Sequence, residues 1–175
     1  MPRHYIWRYH LELTMADQPL LRLALVKDAP AIARLSRDLI EYGLRWRWTP
    51  ARVSASIHAS NVNVLVGCVG EKIVGFAIMR YGDDDAHLDL LAVNPAFQRT
   101  GIGCALIRWL EKCAVVAGIF NVELEVRANN DGALRFYENM GYRALRRLEG
   151  YYQGQEAAVR MGHDLSYPSK QRSAT

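Results

Sequence analysis

The stretch LDLLAVNPAFQRTGIG, Leu88 to Gly103, decides how the rest of the chain is read. Leu90-Leu91-Ala92-Val93 is an apolar run of strand length, and Asn94-Pro95 is a turn signal that ends it. Gln98-Arg99-Thr100-Gly101-Ile102-Gly103 follows, and then Ala105, Leu106, Trp109, Leu110 and Cys113 recur at helical intervals of three and four. A strand, a glycine-containing loop and a helix start therefore succeed one another. The first amides of a helix lack intrahelical partners and sit at the positive end of its dipole, so this junction suits an anion such as a phosphate. Gly101 and Gly103 permit close backbone approach. The same spacing also fits a plain tight turn between strand and helix. It departs from two better-known phosphate loops. Leu106 stands where a dinucleotide fingerprint needs its third glycine, and no Gly-Lys-Ser/Thr occurs.

Working towards the N-terminus, Lys72 to Arg80 and Val62 to Val69 are two β-rich runs joined at Gly70-Glu71, the pattern of an antiparallel hairpin. Tyr81 to Asp85 holds Gly82 and three successive aspartates, which read as a polar turn in preference to a metal site. His87 reads as an edge residue at the start of the next strand. Leu20 to Val26 predicts the first strand, with Asp28 as N-cap and Pro30 in the first turn of a helix whose buried face carries Ile32, Leu35, Leu39 and Ile40. Gly43 lies near that helix's end, and a second short helix is expected over Pro50 to Ala59. Between them, Leu44-Arg45-Trp46-Arg47-Trp48-Thr49 either closes over the core or grips a ligand. Residues 1–19 show no clean period and are expected to be an extension, and 168–175 a tail, around one domain at 20–167.

Composition narrows the classes. In 175 residues, 50% are hydrophobic, enough for a sizeable single core. The net charge of +4 is mild and the Lys and Arg residues are scattered, which argues against nucleic acid as main partner and suits a phosphate-rich ligand. Cys68, Cys104 and Cys113 are odd in number, lie in apolar segments and lack metal-ligand spacing, so they read as reduced core thiols in a cytoplasmic protein, with no bound metal expected. No apolar run has membrane-spanning length, and the polar start is unlike a secretory signal.

Towards the C-terminus, Asn121 to Arg127, NVELEVR, predicts a strand with Val122, Leu124 and Val126 on one face and Glu123, Glu125 and Arg127 on the other. Acidic groups on an interior strand are costly unless they face a polar cleft, although Glu125 beside Arg127 is also an ordinary ion pair. Asn130 caps a helix carrying Ala133, Phe136, Tyr137 and Met140, which Gly141 stops. By spacing alone Tyr137 is a core residue.

Gln98-x-x-Gly101-x-Gly103 after Ala-Val-x-Pro resembles the acyl-CoA-binding motif of the GNAT superfamily of N-acyltransferases. The run from Leu124 through Asn130, Ala133 and Phe136-Tyr137 to Tyr142 resembles that superfamily's second signature segment. From Ala86 to Tyr142 the chain is most similar to the ribosomal-protein alanine N-acetyltransferases, which modify protein N-termini. This resemblance implies an α/β domain with a mixed twisted sheet of six or seven strands, flanked by four helices. It implies acetyl-CoA as acetyl donor and an amine acceptor, with a homodimer possible. It places Glu125 as general base and Tyr137 as general acid. The coenzyme would be held by Leu91, Ala92 and Val93, by Gln98, Arg99, Thr100, Gly101, Ile102, Gly103 and Cys104, and by Asn130, Ala133 and Tyr137. Trp46, Trp48, Tyr151 and Tyr152 would shape the acceptor pocket. Two alternatives stay open: a member acting on a small-molecule amine, and a non-catalytic acyl-CoA-binding module.

Overall fold

The structure is a computed structural model that describes residues 19–166. The extension expected over 1–19 lies outside the described residues except for Pro19, and so does the tail expected over 168–175. In chain order the elements are β1 (Leu20–Leu23), α1 (Ala29–Leu39), α2 (Pro50–His58), β2 (Val62–Val69), β3 (Lys72–Tyr81), β4 (Asp85–Val93), α3 (Ile102–Val116), β5 (Asn121–Arg127), α4 (Asp131–Asn139), β6 (Arg143–Tyr152) and β7 (Glu156–Asp164). The seven strands form one sheet in the order β1-β2-β3-β4-β5-β7-β6. Only β4 and β5 run parallel; every other neighbour is antiparallel, so the sheet is mixed with its parallel pair near the middle.

Two details at the N-terminal end differ from the sequence reading. The strand expected over Leu20 to Val26 stops at Leu23. Asp28 does not cap α1 with its side chain; its carboxylate accepts the Leu25 amide at 2.8 Å and the Arg22 guanidinium at 2.6 Å. With that pair of hydrogen bonds Val26–Asp28 folds into a 3-10 turn and the chain leaves the sheet early. Farther on, the hairpin between β2 and β3 forms as expected, with Gly70 at φ +56° in the connecting turn.

Apolar side chains fill both faces of the sheet. Leu106, Ile107 and Leu110 of α3 pack with Val122 and Leu124 of β5 and Met161 of β7 on one face. Ile32 and Ala33 of α1 and Val53 of α2 pack with Phe76 and Ile78 of β3 on the other. The three cysteines are unpaired, but only Cys68 is buried; Cys104 and Cys113 lie half-buried on α3, so core thiols describes one of the three.

The decisive irregularity is in β4. Ile78 faces Leu90 and Met79 faces Leu88, so Asp89 is an extra residue in the strand, a β-bulge. The bulge reverses which way alternate residues point. Ala86 and Leu88 belong to the core beneath α3, whereas Leu90 and Ala92 belong to the core beneath α1.

A cleft where two parallel strands part

Pairing between β4 and β5 covers Asp85↔Asn121, Ala86↔Val122 and His87↔Glu123 and goes no farther. Beyond that point β4 remains on β3 up to Val93↔Gly75, and β5 remains on β7 up to Arg127↔Ala158. The two strands therefore diverge, and the β5-facing edge of β4 from Leu91 to Val93 keeps unpaired backbone groups, a place where an extended ligand can add as a strand. A cleft of about 560 Å³ opens at the parting.

The glycine loop closes one end of this region. Asn94 Oδ1 accepts the Ala96 amide at 3.0 Å, Gln98 Nε2 donates to the Val93 carbonyl at 3.1 Å, and the Thr100 hydroxyl donates to the Phe97 carbonyl at 2.6 Å. Arg99 and Gly101 take left-handed backbone, φ +65° and +88°, an arrangement that turns successive amides towards one side. Among the described residues nothing accepts from the amides of Arg99, Thr100 and Gly101, and the first amides of α3 lack helical partners. These are free donors gathered at a helix N-terminus, the kind of place that suits an anion. Ile102 contributes only its backbone, because its side chain is buried against Gly67 and Gly75. Gly103 packs closely: a Cβ there would meet the Phe136 ring at 3.3 Å.

The cleft is lined by Leu91, Glu125, Asn130, Ala133, Tyr137, Trp48, Tyr151 and Tyr152 among the residues singled out from sequence. Asn130 caps α4, its side chain accepting the Ala133 amide at 3.1 Å. Tyr137 is 8% exposed, and burial pushes its hydroxyl well above the ordinary tyrosine range. The hydroxyl therefore keeps its proton near neutral pH. Tyr151 and Tyr152 sit edge to face with ring centres 5.0 Å apart. Trp48 is buried in the α1-side core with one edge on the cleft. Trp46 is not part of the lining and packs, partly buried, against the same core. Ala92 likewise turns its side chain into that core, because of the bulge.

His87, read as an edge residue, is instead interior, on a strand with neighbours on both sides. Its Nδ1 lies 2.8 Å from Asp89 Oδ1 and its Nε2 2.8 Å from Glu125 Oε2. Arg80 bonds Asp89 from the other side, and Arg160 Nε bonds Glu125 Oε1 at 2.7 Å. Hydrogen bonds to Asp89 and Glu125 raise the His87 pKa to about 9, so the imidazole is charged at neutral pH. Burial pushes the Glu125 carboxyl up, but His87 and Arg160 outweigh it and hold the group below its usual range. The Glu125–Arg127 pair considered from sequence does not form. Arg127 bonds Glu156 at 2.7 Å and the carbonyls of Ile40 and Tyr42 at 2.9 and 2.8 Å, tying β5 to the end of α1. His87, Asp89, Arg80 and Arg160 were missed; a histidine two residues before an aspartate on an interior strand was the available signal.

Such a site can bind a phosphate-bearing thioester along β4 and present it to a carboxylate and a buried phenol. Residues 30–142 match the model of the Acetyltransferase (GNAT) family. The chain belongs to that family. As a GNAT family member it is an acetyl-CoA-dependent N-acetyltransferase. It is 35% identical over 99 residues to the [ribosomal protein bS18]-alanine N-acetyltransferase of Salmonella typhimurium, covering 55% of this chain and 67% of the relative. It is 30% identical over 112 residues to the N-terminal acetyltransferase B complex catalytic subunit NAA20 of Arabidopsis thaliana, covering 63% and 62%. Among solved structures it resembles Ard1 from Thermoplasma volcanium, with TM-score 0.75, 26% identity, and 84% and 97% of the two chains covered. No helix among the described residues is long and apolar enough to cross a membrane.

Proposed function

We propose that this GNAT protein transfers acetyl from acetyl-CoA to the N-terminal α-amine of a protein or peptide by direct attack. The observation that carries the reading is that Glu125 and Tyr137 line one cleft, at the point where β4 parts from β5 and leaves free strand edge for the thioester arm. The amides from Arg99 to Cys104 hold the diphosphate, Leu91 to Val93 align the pantetheine, and Asn130 and Ala133 border it. The amine nitrogen attacks the thioester carbon, the C–N bond forms and the C–S bond breaks. Glu125, directly or through a water, receives the proton that the nitrogen sheds. Tyr137 gives its proton to the departing thiolate. An α-amine with a reference pKa near 7.7–8.0 is partly neutral at pH 7, whereas a lysine near 10.4 is not, so a site with a weakly basic carboxylate suits the former. The unpaired thiols fit the reducing cytoplasm.

Incubation with acetyl-CoA and two peptide sets tests this, one with free N-termini and one with blocked N-termini and internal lysines. Mass gain on the first set only is expected. Labelling of lysines, or of small amines alone, overturns the acceptor, and binding of acetyl-CoA without thiol release on any amine favours a non-catalytic module.

A further inference from the structure

The charges around the cleft do not cancel. Its carboxylates are each engaged within the protein: Glu41 accepts the amides of Arg47 and Trp48 and the Ser36 hydroxyl, Asp89 is held by Arg80 and His87, and Glu125 by His87 and Arg160. Arg127 is matched by Glu156. Arg45, Arg47 and Arg52 also line the cleft, from the segment joining α1 to α2 and from α2 itself, and none forms an ion pair among the described residues.

The segment that carries Arg45 and Arg47 is held in place, and so is the Arg52 side chain. The Glu41 carboxylate pins the backbone at Arg47 and Trp48, at 2.7 and 3.2 Å, so this segment is not a loose flap. The Arg52 guanidinium lies over the Trp48 ring at 4.2 Å, a contact that keeps a long side chain at the cleft wall while leaving its N–H groups free to donate. The segment stands on the α1 side of the sheet, across from the glycine loop and α3. It thus faces whatever approaches Glu125 from the acceptor side, and its positive field strengthens as water is displaced on binding.

We propose that the acceptor is an acidic N-terminus, a peptide whose first residues after the α-amine carry Asp or Glu side chains that pair with Arg45, Arg47 and Arg52. This rests on the peptide-acceptor reading above and adds its charge class. Planar guanidiniums bind carboxylates through paired N–H donors, which makes the match geometric as well as electrostatic.

The test compares three peptides that share a free N-terminal alanine and differ only next to it, as Glu-Glu, Gln-Gln or Lys-Lys, with acetyl-CoA saturating. The acidic peptide is expected to exceed the basic one at least tenfold in kcat/KM, with a margin that shrinks as salt is raised. Arg45→Glu/Arg47→Glu should reverse the order, and the milder Arg45→Gln/Arg47→Gln should flatten it, both with acetyl-CoA affinity retained as a check on folding. Equal use of the three peptides, preference for the basic one, or an order unmoved by the substitutions overturns this inference while leaving the peptide reading intact. Failure to acetylate any of the three overturns both.

Discussion

His87 Nε2 stands 2.8 Å from Glu125 Oε2 on two strands that stop pairing at that level, so the last cross-strand contact before the cleft is also its most polar one. Glu125 consequently meets the acceptor as a carboxylate already engaged by two cations. In the proposed mechanism such a carboxylate receives a proton from an amine that loses it readily and does not extract one from a strongly basic amine.

Glu125→Gln should lower kcat by about 100-fold, within the range typical of general-base removal, with little change in KM for acetyl-CoA. His87→Gln frees Glu125 from one cation, lets its pKa rise, and should shift the acidic limb of the rate profile upward. Rates measured from about pH 4 to pH 8 on the wild type and the His87 variant check this; profiles that coincide would detach His87 from the reaction.

His87 also couples stability to pH. Its pKa in the folded protein, about 9, lies above the unfolded value near 6.5, so the protonated form favours folding. The stabilisation is fully present below pH 6.5 and is lost as pH rises towards 9. Because a third of the side chain is exposed, solvent screening limits the effect to about 1–2 kcal/mol. Denaturant melts at pH 6 and pH 9.5 should show this loss, and His87→Gln should shrink it.

Tyr137→Phe removes the buried hydroxyl while keeping the ring that packs edge to face on Phe136 and Tyr142, with centres 5.2 and 5.5 Å away. Turnover should fall by about tenfold or more with coenzyme affinity unchanged. Thiol release at saturating substrates and calorimetric titration with acetyl-CoA separate the two effects.

Gly101→Ala isolates backbone conformation, since nothing lies within 4 Å of a Cβ at this position while φ is +88°. A non-glycine residue in left-handed backbone costs about 1 kcal/mol, so the loop should relax and acetyl-CoA should bind several-fold more weakly. Titration of the variant with acetyl-CoA reads this directly.

Arg127→Met breaks the link from β5 to Glu156 and to the carbonyls that end α1. Loss of charged, largely buried hydrogen bonds should cost about 2–3 kcal/mol in urea melts, and it should raise KM for the acceptor more than for acetyl-CoA.

Much of the molecule is legible in residue order because local rules suffice there. The turn at Gly70, the cap at Asn130 and the alternation of Val122, Leu124 and Val126 each depend on neighbours a few residues away. The same rules misjudged Asp28, whose backward bond to Leu25 competes with capping α1.

By itself, then, the sequence determined the strand, glycine loop and helix start, and the alternation that puts Glu125 on the face opposite Leu124. The tertiary structure alone decided that β4 carries an extra residue at Asp89, that His87 reaches Glu125 across 38 positions of chain, and that Arg127 turns to Glu156. The physical reason is range. Propensity, capping and alternation act along the backbone, whereas a bulge and the ion pairs around it are chosen by which strands meet side by side and where they part.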